Sequence, residues 1–145
     1  MIGLIQRVSE ASVTIEQQRV AEIQRGILLL LGVEKLDTVP KADRLLERVL
    51  NYRIFEDEQG RMNRSLLEIQ GNLLVVPQFT LAADTKKGNR PSFTSAADPE
   101  LGHKLFDYVC TQLQTRFGVL QAGRFGANMQ VHLINDGPVT FWLQV

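Results

Sequence analysis

The chain predicts a strand-rich α/β domain, and three features of its 145 residues carry the prediction. Alternating apolar and polar runs occupy both ends. Two short, almost wholly apolar runs lie between them, each introduced by glycine: Ile27–Val33 after Gly26, and Leu73–Val76 after Gly71-Asn72. Two longer stretches place apolar residues at helical spacing. The length suits one compact domain with a sizeable core. Hairpin patterns at both ends favour mixed, strand-rich sheets with two main helices over a purely parallel, doubly wound sheet.

Ile2–Val8 is read as a first strand, followed by a hairpin of Ser12–Glu16 and Arg19–Ile23 around Gln17-Gln18. The run Ile27–Val33 has no polar face and fits a central strand covered on both sides. Thr38 then stands where a cap belongs, Pro40 suits a first turn, and Ala42, Leu45, Leu46, Val49 and Leu50 recur on one face. Arg44, Glu47 and Arg48 form its solvated side. Arg53–Glu56, the turn Asp57–Gly60 and a return through Arg61–Arg64 predict a small hairpin. Leu73–Val76 is a second buried strand, ending at Pro77, which has no amide to donate. A long loop, Ala82–Ala96, follows. Asp98-Pro99-Glu100 opens the second helix, whose stripe is Leu101, Leu105, Tyr108, Val109 and Leu113 and whose stop is Gly118. The chain closes with a pair of strands, Met129–Ile134 and Val139–Val145, joined by the turn Asn135-Asp136-Gly137-Pro138, and is expected to end inside the core.

Composition narrows the function. The 16 basic and 16 acidic side chains cancel, so net charge drives neither nucleic-acid nor membrane binding, although a local basic patch remains open. One cysteine, Cys110, allows no internal disulfide, and its place in a helical pattern marks it as a core filler. No secretory signal pattern is present and no apolar run approaches the ~20 residues of a membrane span, so a cytoplasmic, soluble protein is expected. His103 and His132 are the only histidines and neither sits in a ligand cluster, so neither metal nor cofactor is expected. Dinucleotide and phosphate-loop fingerprints are missing, as is a nucleophile elbow.

The candidate chemistry lies at Gln78-Phe79-Thr80, where a buried strand gives way to a loop. Gln78 offers a donor and an acceptor, and Phe79 either stacks on a base or plugs the core. Thr80 has no adjacent base to activate it, while amides in such a bend can hold an oxyanion. Lys86, Lys87 and Arg90 give the following loop positive charge suited to phosphates, or to plain solvation. Phe93 and Phe125 are candidates for lining a cavity. Gly137-Pro138 reads either as an ordinary trans turn, which the rarity of cis X-Pro bonds favours, or as a cis turn holding two carbonyls in one direction.

Taken together, Ile5-Gln6-Arg7-Val8 with Ala11-Ser12-Val13, Leu31-Gly32-Val33, Gln78-Phe79-Thr80-Leu81, Arg90-Pro91-Ser92-Phe93, Asn135-Asp136-Gly137-Pro138-Val139-Thr140 and the closing Phe141–Val145 resemble the D-aminoacyl-tRNA deacylase family over essentially the whole chain. The resemblance implies the deacylase-family fold. It also implies a cytoplasmic homodimer that hydrolyses the ester between a D-amino acid, or glycine, and the terminal adenosine of transfer RNA, and that rejects L-aminoacyl esters. It places Gln78, Phe79 and Thr80 in the catalytic segment, with Pro77 standing where the family motif has serine. It implies a Gly-cis-Pro filter at Gly137 and Pro138 that enters the other subunit's pocket, with the terminal 2′-hydroxyl of the RNA assisting the water. Arg7 is then expected to brace that loop, Phe125 and Met129 to line the substrate pocket, and Lys86, Lys87 and Arg90 to meet the RNA backbone. Two other classes stand beside this one: an esterase with Thr80 as nucleophile, and a non-catalytic RNA-binding module.

Overall fold

The computed structural model describes residues 1–145 and is organised around one long strand, β1 (Ile2–Ile15). Along Ile2–Val8 it pairs antiparallel with β3 (Gly26–Gly32), and along Ala11–Ile15 with β2 (Gln18–Ile23). The two stretches predicted as separate strands are thus one. Their register against the carboxyl-terminal strand shifts between Gln6 and Val8 and again between Val8 and Glu10, and such irregularities bend and twist a strand. The hairpin turn is Glu16-Gln17 rather than Gln17-Gln18. Both residues take positive φ, 48° and 66°, which a two-residue turn between twisted strands requires.

β3 pairs parallel with β6 (Asn72–Pro77), which pairs parallel in turn with β7 (Gln121–Ala122), a strand too short to predict. The sheet curls until the Glu22 amide on β2 reaches the Gln121 side-chain oxygen at 2.8 Å, nearly closing a barrel. Alternation then explains the apolar runs. Ile27, Leu29, Leu31, Leu73 and Val75 face the helices, whereas Leu28, Leu74 and Val76 face the barrel interior with Val8, Val13 and Ile23. A side chain at Gly26 is impossible, because its Cβ would lie 1.9 Å from the Asn72 carbonyl oxygen.

Helix α1 (Val39–Asn51) buries the predicted face, Ala42, Leu45, Leu46, Val49 and Leu50, against the sheet. Burying each large side chain is worth about 1.5–3 kcal/mol. Thr38 occupies the cap position, but its side chain makes no capping bond. In α2 (Pro99–Phe117) the Asp98 carboxylate does cap, accepting from the Leu101 amide at 2.8 Å, and Gly118 at φ 75° ends the helix. The hairpin predicted after α1 is reduced to β4 (Phe55–Glu56) and β5 (Met62–Arg64).

The carboxyl terminus departs from prediction. It forms one strand, β8 (Gln130–Gln144), not two strands joined by a turn. Both halves lie collinear against β1, with Gln130–Asn135 opposite Val8–Thr14 and Thr140–Gln144 opposite Ile2–Gln6. Residues 136–139 bulge out opposite Arg7 alone, because the alternating runs on either side find the same partner strand. The Gly137-Pro138 bond is cis. At the strand's end Leu143 is buried while Trp142 is half exposed.

Met1 is fully buried. Its ammonium donates to the buried Asp37 carboxylate at 2.6 Å, to Glu34 at 2.8 Å and to the Val145 carbonyl at 3.0 Å. Asp37 also accepts from the Glu34 amide and pairs with Lys41. Removing one partner of a buried pair strands the other charge, so Asp37→Ala is expected to lower the free energy of unfolding by about 3–5 kcal/mol in urea titrations. Burial pushes the Glu34 carboxyl up, but hydrogen bonds from the Met1 ammonium and Gln144 outweigh it, and its pKa ends below the ordinary 4.5. A depressed carboxyl stabilises the fold above its unfolded pKa and stops doing so as pH falls through its folded one. Melting from about pH 6 down to about pH 3 should therefore cost Glu34→Gln less stability than the parent protein.

Candidate functional site

A cleft of about 480 Å³ opens where β3 and β6 end beneath the first turn of α2. Leu31, Val76 and Pro77 form its floor. Gln78 and Phe79 stand at the strand-to-loop bend, Gly102 and Phe106 come from α2, and Phe125, Met129 and Val131 close the far side. The sheet's topology brings these distant segments together: parallel pairing of β3 and β6 aligns their carboxyl ends, and β7 returns the chain alongside.

Pro77 fits without an unpaired group. It is the last residue of β6, opposite Leu31, and the ladder closes through the Gln78 amide, which donates to the Leu31 carbonyl at 2.8 Å. A short 3-10 helix, Phe79–Ala82, follows. The amides of Phe79 and Thr80, at its first turn, donate to no protein acceptor. Gln78 Nε2 donates to Thr80 Oγ1 at 2.6 Å, so the hydroxyl oxygen faces an amide donor and not a base. Phe79 is 58% exposed and packs against Phe93, ring centroids 5.2 Å apart. Phe93, expected as a cavity-lining candidate, does not line the cleft.

Asp98 is the one titratable side chain on the cleft wall, and its carboxylate is engaged as a helix cap. The wall is otherwise apolar, apart from the Gln78 amide. Phe125 is held between elements. It stacks on His103 with centroids 4.9 Å apart and planes 11° apart, and it meets Phe106 at 6.1 Å. Gly102 leaves it room, since a Cβ there would sit 3.1 Å from the ring. Met129 crosses the Gly123 turn, with its sulfur accepting from the Arg124 amide at 3.3 Å. The positions missed by sequence reasoning are Gly102, Phe106 and the stacked His103. Gly102 breaks an otherwise regular helical pattern, and that was the one available sign.

The structure thus joins Gln78, Phe79, Phe125 and Met129, with Thr80 alongside. It does not bring Gly137, Pro138 or Arg7 to the same cleft within one chain. Arg7, buried on β1, donates through Nη1 to the Ile54 carbonyl at 2.8 Å and through Nε to the Asp136 carbonyl at 3.2 Å, with the Asp136 carboxylate 3.3 Å away. Gly137 and Pro138 project outward and are exposed. Lys86, Lys87 and Arg90 lie on the exposed loop, pinched by an Asp84–Ser92 bridge, and none has a carboxylate partner. No three His, Cys, Asp or Glu side chains form a metal-holding group. Burial, with Asp107 adding to it, pushes the Cys110 thiol up to about 12, which leaves it unreactive at neutral pH.

Comparison with known proteins decides the family. A model of the D-Tyr-tRNA(Tyr) deacylase family matches residues 4–144. The chain belongs to this family. A D-aminoacyl-tRNA deacylase of Glaesserella parasuis is 60% identical over 145 residues, covering both chains in full. Another from Nitrosococcus oceani is 56% identical, over all of this chain and 94% of its own. Among solved structures, a c-Myc DNA Unwinding Element Binding Protein superposes with a TM-score of 0.95 at 39% identity, over 100% of this chain and 99% of that one. A probable eukaryotic D-amino acid tRNA deacylase, at 17% identity, shares the fold with a TM-score of 0.87, over 99% and 98% of the two chains.

In this deacylase-family fold, Gly102 and Phe125 form one packing unit. Gly102→Ala is expected to lower stability by about 1–2 kcal/mol, since the ring must give way. Adding Phe125→Leu should recover part of the loss, and thermal melts of the single and double variants measure the coupling.

Proposed function

We infer that this protein hydrolyses the ester bond of D-aminoacyl-tRNA, releasing free D-amino acid and tRNA, and so proofreads the chirality of charged tRNA. The observation that carries this reading is the family match over residues 4–144, with Gln78 and Phe79 at the mouth of an apolar cleft that offers no free acid or base.

The chemistry follows from what the cleft contains. Water adds to the ester carbonyl, the bond to the ribose oxygen breaks, and the proton passes to that oxygen. The Phe79 and Thr80 amides hold the negative charge that develops on the carbonyl oxygen, a task for which fixed donors are worth about 10²–10³ in rate. Gln78 orients the ester or the terminal ribose. Phe125 and Met129 bind the acceptor end. As the family resemblance implies, the adjacent 2′-hydroxyl of the RNA assists the water, and the absence of a protein group placed to take the proton agrees with that. Lys86, Lys87 and Arg90 meet phosphates of the acceptor strand, and their lack of carboxylate partners favours that role.

Chirality is judged by Gly137 and Pro138 of a second copy. Their carbonyls accept the substrate ammonium and crowd the direction in which an L side chain would leave Cα. A D side chain points away, and glycine has none to exclude, so the glycyl ester is also a substrate. Two observations favour a homodimer with composite sites. The loop does not line the Gln78–Phe125 cleft of its own chain. The outer edge of β8 pairs with nothing and exposes half of Ile134 and Trp142, and open apolar edges of this kind recruit another strand.

The decisive measurement is deacylation of matched D- and L-aminoacyl-tRNAs, with turnover expected for the D-ester alone. Equal rates for both would end the proofreading reading. Thr80→Val should keep activity within about tenfold, whereas a substrate lacking the terminal 2′-hydroxyl should be almost inert. The reverse pattern, with a trapped acyl-enzyme, would make Thr80 a nucleophile. Sedimentation should give twice the chain mass. Mixing an inactive Gln78 variant with an inactive Gly137 variant should restore activity if sites are shared, and no restoration after confirmed subunit exchange would refute sharing.

A further inference from the structure

We propose that Asn135 is a positioning residue that sets the carbonyls of the Gly137-Pro138 loop and thereby sets stereoselectivity, with Thr140 as its second anchor. This rests on the reading of that loop as the chiral filter.

The geometry is specific. Four residues, Asp136 to Val139, bulge from the β1–β8 ladder between the pairs Val8–Asn135 and Gln6–Thr140. A bulge of that size has no ladder bonds of its own to close its neck. The Asn135 side chain supplies them. Its Oδ1 accepts from the Val139 amide at 3.0 Å, spanning the loop, and its Nδ2 donates to Thr140 Oγ1 at 2.9 Å. The same hydroxyl accepts from Gln6 Nε2 on β1 at 3.3 Å, so the neck is also tied sideways to the sheet.

Arg7 holds only the leading side of the loop, through the carbonyl and carboxylate of Asp136. On the trailing side Asn135 takes the Val139 amide, and Thr140 ties the neck to Gln6. Gly137 and Pro138, which sit between the two anchors, make no side-chain bond of their own. Gly137 has φ 127°, and a Cβ there would lie 2.6 Å from Val139 Cγ2 and 3.1 Å from Arg7 Nη2. The loop is thus packed onto both anchors, and a shift at Val139 passes directly to the carbonyls.

The chemistry of the two side chains predicts the response to substitution. Asn135→Ala frees the trailing side and takes from the half-buried Val139 amide its Asn135 acceptor. Asn135→Asp keeps an oxygen for the Val139 amide, and its second oxygen accepts the Thr140 hydroxyl proton. Thr140→Val removes the hydroxyl that accepts from both Asn135 and Gln6, and leaves the Asn135–Val139 bond in place.

The test measures kcat/KM on matched D- and L-aminoacyl-tRNAs for Asn135→Ala, Asn135→Asp, Thr140→Val and Gly137→Ala, each checked by thermal melting. For Asn135→Ala the D-over-L ratio is expected to fall about tenfold or more, chiefly by a gain in L-ester turnover, in a protein that still melts cooperatively. A merely structural role would lower both rates together and leave the ratio alone. Asn135→Asp should restore the ratio. If Asn135→Ala does not fold, Thr140→Val gives the same reading, with a smaller fall expected. A fall in Gly137→Ala without one in either Asn135→Ala or Thr140→Val would overturn the clamp and keep the filter. An unchanged ratio in Gly137→Ala would overturn the filter itself.

Discussion

Four residues of β8 stand opposite one residue of β1, and Arg7 is that residue. A guanidinium with 8% exposure cannot be left unpaired, and here it finds the Ile54 carbonyl on one side and Asp136 on the other. The chain following α1 is thereby tied to the bulge of the last strand through the first strand. Lysine could not do the same, since a single ammonium lacks the planar fork that reaches two carbonyls at a fixed angle. The ladder resumes on both flanks of the bulge, with a second register shift between Val8 and Glu10, so the loop is an interruption of a paired strand and not a free turn.

That rigid element also sets where the cleft lies. β1 brings β3 to its side, β3 brings β6 in parallel, and the two carboxyl ends open at one level. The chain must leave the sheet there, and it does so at Pro77, whose ring becomes wall instead of ladder. The helix that roofs the cleft is pinned to the same strand end, because the Ala97 amide donates to the Val33 carbonyl and the Ser95 hydroxyl to the Ala82 carbonyl. Cleft and bulge are thus fixed by the same sheet and yet separate within one chain. On the proposed reading, a site that uses both draws on a second copy.

The amount legible in the sequence followed from how local each constraint is. Apolar face and period located both helices and both buried strands, because burial is written directly into Ile27–Leu31 and Leu73–Val76. Asp98 was readable as a cap since it depends on the next few residues only, whereas Thr38 shows that the right residue in the right place need not make the bond. The β8 ladder was misread for the opposite reason. Two alternating runs flanking Asn-Asp-Gly-Pro look alike whether they fold onto each other or both lie against a distant strand, and only β1 settles which. β7 has two residues and no period to detect. The strand-to-loop transition and the family resemblance pointed to Gln78 and Phe79, and the fold does place both at the cleft. His103 and Gly102 were not, because their roles depend on Phe125, which is distant in sequence and reaches them through the fold.

The division between cleft and bulge has a physical logic. Walls made of Phe125, Phe106, Met129 and Val131 attract flat or apolar groups broadly, and such surfaces distinguish related ligands by only about 1–3 kcal/mol. They suit a partner that is the same in every substrate, such as the terminal adenosine of tRNA. Mirror-image discrimination needs atoms whose positions do not adjust to the ligand. Main-chain carbonyls held from both sides meet that need better than flexible side chains, because any movement that would admit an L side chain must first break charge-assisted or amide hydrogen bonds at Arg7 or Asn135. Selectivity on the proposed reading therefore resides in the stiffness of the backbone, and the polar side chains around the bulge matter through the positions they enforce.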